Sequence, residues 1–109
     1  MKEIKAIIQS FMLEKVLDAL HEIKKLPGCT VSNVESYARS SVKTAEESAY
    51  SPAPKTKLEM VVPDGMVEEV LKVIHKNAYT RQKGDGKVFI LEVVDALAIR
   101  TGNRGNEAI

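Results

Sequence analysis

The glycine-rich segment Lys83–Lys87 carries the densest set of residues suited to chemistry. It contains two glycines, an aspartate and two lysines, and it stands directly before a strand-like run. Glycines let the backbone turn sharply and aim amide N–H groups at an anion, and the flanking lysines add positive charge. The segment therefore indicates a candidate phosphate site. The alternative is a plain turn between a helix and a strand, since isolated glycine patterns are weak signals.

A second basic segment lies near the end of the chain, from Ile99 to Gly105. Arg100 is suited to phosphate binding, because a guanidinium group donates two parallel hydrogen bonds to neighbouring oxygens. The alternative is a frayed and solvated C-terminus.

The remaining reactive residue types do not form a catalytic or metal-binding pattern. His21 and His75 occupy equivalent positions near the ends of two helical segments, where an imidazole suits the helix dipole. Cys29 is the only cysteine and has no histidine or aspartate at a spacing typical of a nucleophile. The motifs of serine hydrolases, zinc proteases and P-loop nucleotidases do not occur. We therefore predict no enzyme and no metal site.

Composition restricts the partners of the chain. Its 109 residues form one domain, residues 1–109, and 16 basic against 15 acidic residues leave a net charge of +1. Such a balance does not indicate binding to nucleic acid or to a membrane surface. The N-terminal segment is neither a signal peptide nor a membrane span, and a lone free thiol suits a reducing compartment. We expect a cytoplasmic protein without direct membrane insertion.

The elements that must position these segments follow from an internal duplication. Phe11–His21 resembles Gly65–His75, and both segments have apolar residues at helical spacing. A strand-like run precedes each helix and another follows it. The resulting order, βαββαβ, predicts an α+β ferredoxin-like fold with an antiparallel sheet and both helices on one face.

Two features of this plan need an explanation. Ile8, Met60, Val62, Phe89 and Leu91 cannot all point toward the helices, so we expect identical subunits to cover the other sheet face. The connection between the second and third strands, residues 39–54, is far longer than a hairpin needs, which is typical of a functional or a disordered loop.

Two other uses of the fold find little support. An RNA-recognition domain would place aromatic residues on its central strands, and only Phe89 is there. An acylphosphatase-like enzyme would need an arginine after the first strand, where this chain has Gln9–Phe11.

The chain resembles the nitrogen-regulatory PII family along nearly its whole length. Gly84–Phe89, Ile99–Gly102 and Glu107–Ile109 look like the family's C-terminal pattern. Lys55–Asp64 resembles the family's third strand, and Ile4–Ile8 matches its opening. The long connection is the exception.

The resemblance implies a regulatory homotrimer that binds ATP, ADP or AMP in clefts between subunits. Residues 39–54 would be the T-loop, which docks on a target such as a membrane transporter or a metabolic enzyme, and residues 96–109 a C-terminal segment. Glycines and lysines would hold phosphates, and Thr30, Glu59 and Val61 would surround the adenine. The nucleotide-site residues implied by the resemblance are Thr30, Ala38, Arg39, Ser40, Lys55, Glu59, Val61, Gly84, Asp85, Gly86, Lys87 and Arg100.

Three departures from the family pattern modify this expectation. The usual Gly-Arg-Gln is Ala38-Arg39-Ser40 here, and the shorter Ser40 argues against 2-oxoglutarate while leaving Mg²⁺ compatible. Ala98 replaces a phosphate-contacting arginine, so we expect ADP or AMP to bind comparably with ATP or better. Tyr50 lies near a tyrosine that some members have modified. Its flanks differ, so we assign it to partner binding.

Two alternatives to a nucleotide sensor stay open at the sequence level. One is a trimeric protein similar to CutA that binds a metal or a small anion, although two histidines and one cysteine suit no soft metal. The other is a slow ATPase, for which no general base is evident.

Overall fold

The computed structural model describes residues 1–39 and 50–109, and over these ranges the order βαββαβ is confirmed. A short 3₁₀ turn precedes each helix, Ser10–Met12 before the first and Asp64–Met66 before the second. A third 3₁₀ turn, Gly105–Ala108, lies near the C-terminus. The main elements are β1 (Lys2–Ile8), α1 (Leu13–His21), β2 (Thr30–Arg39), β3 (Tyr50–Val62), α2 (Val67–Ala78) and β4 (Gly86–Glu92).

The four strands form one antiparallel sheet in the order β2-β3-β1-β4. The expected ferredoxin-like fold is therefore confirmed. β1 lies between β3 and β4, and its residue Ile4 is opposite both Met60 and Ile90. Each βαβ half consequently brackets a strand of the other half, which ties the two repeats into one sheet.

The hydrophobic core lies between this sheet and the two helices. Each fully buried leucine or isoleucine contributes about 1.5–3 kcal/mol to the stability of the fold. The core side chains that are at most 2% exposed are Ile4, Ala6, Ile8, Val16, Leu20, Leu58, Met60, Val62, Val70 and Ile74.

The register decides which apolar residues face the helices. Ile8, Met60 and Val62 all point into the core, because the even-numbered residues of β1 and β3 share one face. Phe89 and Leu91 lie on the opposite, open face, and they are 50% and 38% exposed. The five residues therefore divide between the two faces, with only two of them on the open side.

The start of α2 differs from what its sequence suggests. Asp64 in the Pro-Asp-Gly sequence fits a helix N-cap, but its side chain caps no backbone amide. Its carboxylate instead accepts a hydrogen bond of 2.9 Å from the N-terminal amine of Met1 and lies 3.5 Å from Lys2 Nζ. These charges lower the pKa of Asp64, the hydrogen bond from the amine being the largest cause. A contact between distant residues has replaced the local one.

β2 and β3 pair further than the sequence predicted. Their ladder runs from Thr30 opposite Glu59 to Arg39 opposite Tyr50, so residues 50–54 are strand rather than loop. Pro52 and Pro54 fit within this strand because β1 ends opposite Thr56, which leaves β3 with a free edge beyond that point. Ser40 and most of the predicted T-loop lie in residues 40–49, outside the described ranges.

Candidate functional site

The loop between α2 and β4 is folded around the carboxylate of Asp85. The backbone amide of Thr80 donates a 2.7 Å hydrogen bond to Asp85 Oδ2, and the Thr80 hydroxyl donates to Oδ1. These bonds, with backbone donors of Gln82 and Arg81, lower the pKa of Asp85. Asp85, one of the predicted nucleotide-site residues, therefore stabilises the loop by accepting hydrogen bonds from other loop residues.

The two glycines of the loop have backbone conformations that favour glycine. Gly84 has a φ of 91° and Gly86 a φ of 106°. A Cβ atom on Gly86 would lie 1.7 Å from the carbonyl oxygen of Ile7. The loop backbone thus rests directly on β1, and any side chain at Gly86 would lift it from the sheet.

Lys55 joins this loop to β3. Its Nζ donates hydrogen bonds to the Gly84 carbonyl and, over 3.2 Å, to Gln9 Oε1. Four predicted residues, Lys55, Gly84, Gly86 and Lys87, line one cavity of about 420 Å³, which we call the glycine-loop pocket. The other residues that line it are Ile7, Ser36, Tyr37 and Phe89.

A second group of predicted residues lies elsewhere on the chain. Thr30, Glu59 and Val61 line a cavity of about 550 Å³, here called the C-terminal pocket because Ile109 also lines it. A hydrogen bond with Glu3, and then the hydrogen bond and charge of Lys57, lower the pKa of Glu59. Lys57 Nζ lies 3.2 Å from Glu59 Oε1.

The two pockets share one face of the sheet but are well separated. Three odd-numbered residues of β3 lie on the sheet face away from the helices: Lys55, Glu59 and Val61. Lys55 and Glu59 are four residues apart, which corresponds to about 13 Å at the usual strand rise. The two pockets therefore occupy different parts of the same sheet face.

Arg100 lies in neither pocket. It sits at the turn of a small hairpin in which Ala98 N donates to Asn103 O over 2.9 Å and Leu97 pairs with Arg104. The carboxylate of Asp95 holds this hairpin closed by pairing with Arg104 and by accepting bonds from the amides of Ala96 (2.8 Å) and Gly105 (3.2 Å). The C-terminal segment is thus an ordered hairpin rather than a frayed end.

The remaining predicted residues lie where β2 and β3 approach residues 40–49. The backbone of Ala38 is opposite Ser51, and that of Arg39 is opposite Tyr50, which begins β3. Ser40 lies outside the described residues. Neither pocket of a single chain brings these positions together with Arg100.

Several residues in or beside the two pockets were not predicted from the sequence. Gln9 lines neither pocket, yet it accepts a hydrogen bond from Lys55. Gly28 and Ile109 line the C-terminal pocket, although they lie far from Glu59 in sequence. The strand register would have indicated Ile7 and Phe89, since both lie beside the glycine loop on the open face.

In the part of the chain that the structure describes, no three histidine, cysteine, aspartate or glutamate side chains are grouped to hold a metal ion. Nor does any helix there have the length and apolar character needed to cross a bilayer.

A ferredoxin-like domain with a glycine loop suited to an anion defines a class of small ligand-binding proteins. The family model described as "Nitrogen regulatory protein P-II" matches residues 1–103, and the chain belongs to this family. It is 41% identical to the nitrogen regulatory protein P-II of Rhodospirillum rubrum over 113 aligned positions that cover both chains completely. The corresponding proteins of Azospirillum brasilense and Escherichia coli K12 are each 38% identical with the same coverage.

Family membership confirms the resemblance and the regulatory class. PII proteins are trimeric, non-enzymatic regulators that bind adenine nucleotides. The chain is a PII-type nitrogen regulatory signalling protein. This assignment favours a regulator over the slow ATPase and the CutA-like protein considered from the sequence.

Proposed function

We propose that this protein senses adenine nucleotides in a cleft between subunits and controls a target protein through residues 39–54. The observation that carries the proposal is the convergence of two lysines and two glycines, Lys55, Lys87, Gly84 and Gly86, on the glycine-loop pocket. Lysine ammonium groups and turned backbone amides are the donors that recognise phosphates. The phosphates would therefore lie over this loop.

The separation of the predicted residues supports a cleft that two subunits complete. Thr30, Glu59 and Val61 would contact the adenine base, about 13 Å from the phosphate donors on the same strand. Arg100 is exposed on a hairpin that stands apart from both pockets of its own chain. In a trimer, the hairpin of one subunit can bring Arg100 to the phosphates bound by the next.

The ranking of nucleotides follows from Ala98. A methyl group cannot donate to a phosphate, and a charge-assisted hydrogen bond contributes about 1.5–3 kcal/mol. The loss falls on the most highly charged ligand, so ADP or AMP binds comparably with ATP or more tightly. Mg²⁺ accompanies the polyphosphates, and the short Ser40 gives 2-oxoglutarate little to bind.

The target would dock on the connection between β2 and β3. The backbones of Arg39 and Tyr50 are paired at the base of this connection, and β3 joins Tyr50 to Lys55 of the proposed phosphate site. A nucleotide that contacts Arg39 could therefore alter the surface offered to a transporter or a metabolic enzyme. The name of the family makes nitrogen status the first signal to test.

Calorimetric titration with ATP, ADP and AMP tests the proposal, with and without Mg²⁺ and 2-oxoglutarate. Lys87→Ala and Arg100→Ala should each weaken ADP binding about tenfold, corresponding to about 1.4 kcal/mol. Lys15→Ala is the matched control, because it removes the same charge from an exposed position of α1 that lines neither pocket. A wild-type protein that binds no adenine nucleotide would refute the proposal.

A further inference from the structure

The turn after β1 is tied to β3 by two adjacent side-chain hydrogen bonds. Thr56 Oγ1 donates to Ser10 Oγ over 3.0 Å, and Thr56 is only 1% exposed. Next to it, Lys55 Nζ donates to Gln9 Oε1 over 3.2 Å. The half-buried Ser10–Thr56 bond fixes the turn, and this places the Gln9 amide beside the lysine.

Gln9 also faces the glycine loop. A Cβ atom built on Gly84 would lie 3.4 Å from Lys55 Nζ and 3.7 Å from Gln9 Nε2. Lys55 Nζ at the same time donates to the Gly84 carbonyl. The Lys55 ammonium group on β3 therefore contacts both the residue that follows β1 and the glycine loop.

The chemistry of Gln9 suits a cation that must remain available. An ammonium group has three N–H donors, and Gln9 and Gly84 take two of them. Among the described residues no other group accepts from Lys55, so the third donor is left for the pocket that this lysine lines. An amide oxygen directs the ammonium without cancelling its charge, whereas a carboxylate at the same place would form an ion pair and weaken its attraction for an anion.

We propose that Gln9 is a positioning residue for phosphate binding: its neutral amide holds Lys55 against the Gly84 carbonyl, so that loop and ammonium face the anion together. The inference rests on the proposed nucleotide site and adds to it a residue that acts through Lys55. It makes Gln9 a determinant of how strongly the site favours highly charged phosphates.

Two measurements on the full-length protein test this inference. Amide hydrogen exchange of residues 80–87 without ligand reports how firmly the loop is held, and calorimetry with ADP, ATP and AMP reports binding. Gln9→Ala should speed exchange in the loop and weaken ADP binding about tenfold. Asn33→Ala, which removes an exposed side-chain amide from the other face of the sheet, is the control and should alter neither.

Gln9→Glu separates positioning from simple support of the fold. The carboxylate can accept the Lys55 hydrogen bond, so exchange in the loop should stay as slow as in the wild type. Binding should nevertheless weaken at least about tenfold for ATP, and less for AMP, because the ion pair opposes the phosphate charge. A Gln9→Glu protein that binds all three nucleotides like the wild type would overturn the inference.

The failures of the two proposals differ. If Lys87→Ala loses ADP binding while Gln9→Ala changes neither binding nor exchange, the nucleotide site stands and the role of Gln9 is rejected. If the wild type binds no nucleotide, the proposed function is rejected together with the phosphate role of Gln9. Faster exchange in Gln9→Ala would then show only that the residue supports the loop.

Discussion

The glycine loop and the C-terminal hairpin are both basic turns with glycines at positive φ, yet they are anchored differently. The loop is bound to its own sheet through Lys55 and through the close approach of Gly86 to Ile7. The hairpin is closed chiefly by its own residues, above all Asp95 and Arg104, and it leaves Ile99 98% exposed. One turn is anchored to the sheet of its own chain, whereas the other leaves a large apolar side chain exposed.

The largest expected effect is on the anchored turn. Gly86→Ala should destabilise the protein by about 3 kcal/mol, because the new methyl group meets the Ile7 carbonyl at a strained φ. Gly102→Ala in the hairpin should cost only about 1 kcal/mol, because a Cβ there meets nothing within 4 Å and only the φ of 78° is unfavourable. Urea unfolding at a fixed protein concentration measures both, and equal costs would erase the distinction between the turns.

A change in the hairpin should have the opposite effect: it should weaken ADP binding and leave the glycine loop intact. Asp95→Ala removes the acceptor for Arg104 and for two backbone amides, which should loosen the hairpin and weaken ADP binding about tenfold. Hydrogen exchange in residues 80–87 should not change. Glu107→Ala removes an exposed carboxylate from the same segment and is the control. Altered exchange in the glycine loop would show that the two turns are coupled within one chain.

A smaller effect concerns pH. Hydrogen bonds from Thr80 lower the folded-state pKa of Asp85, so the carboxylate stabilises the fold above its unfolded pKa of about 3.9. This contribution should disappear as the pH falls through the lower, folded-state pKa. Asp85→Asn should make stability less dependent on pH below about 4, which thermal unfolding from pH 7 to pH 2 would reveal. If Asp85→Asn has the same pH dependence of stability as the wild type in that range, the Asp85 carboxylate does not stabilise the glycine loop.

The spacing of apolar residues is sufficient to predict the fold, but it does not predict on which face of the sheet each residue lies. The alternation in β3 and the helical spacing in α1 and α2 are local signals, and they gave the right order of elements. The inward direction of Ile8 together with Met60 depends on the register between two strands, which composition does not reveal. The local sequence Pro-Asp-Gly favours an N-cap role for Asp64, whereas the carboxylate pairs with the N-terminal amine across the fold.

The candidate site was predictable in its residue types and less so in its arrangement. Three of the pocket residues lie within one short segment, so the sequence predicts that they line the same pocket: Gly84, Gly86 and Lys87. Gln9 reaches Lys55 only because β1 ends beside that residue, a relation between segments 46 positions apart. The remoteness of Arg100 from these residues is a property of the hairpin and could be seen only in three dimensions.

The prolines of β3 have a consequence for how partners can approach the paired arm that leads to residues 40–49. Beyond Thr56 the described residues form a two-stranded arm, and an unpaired strand edge invites a further strand to add to it. Pro52 and Pro54 have no amide hydrogen to offer there. The β3 edge of the arm is thus blocked against the addition of a further strand, whereas β2 is the outer strand of the sheet and has no proline between Thr30 and Arg39. A target protein that extends the sheet would have to pair with the β2 edge.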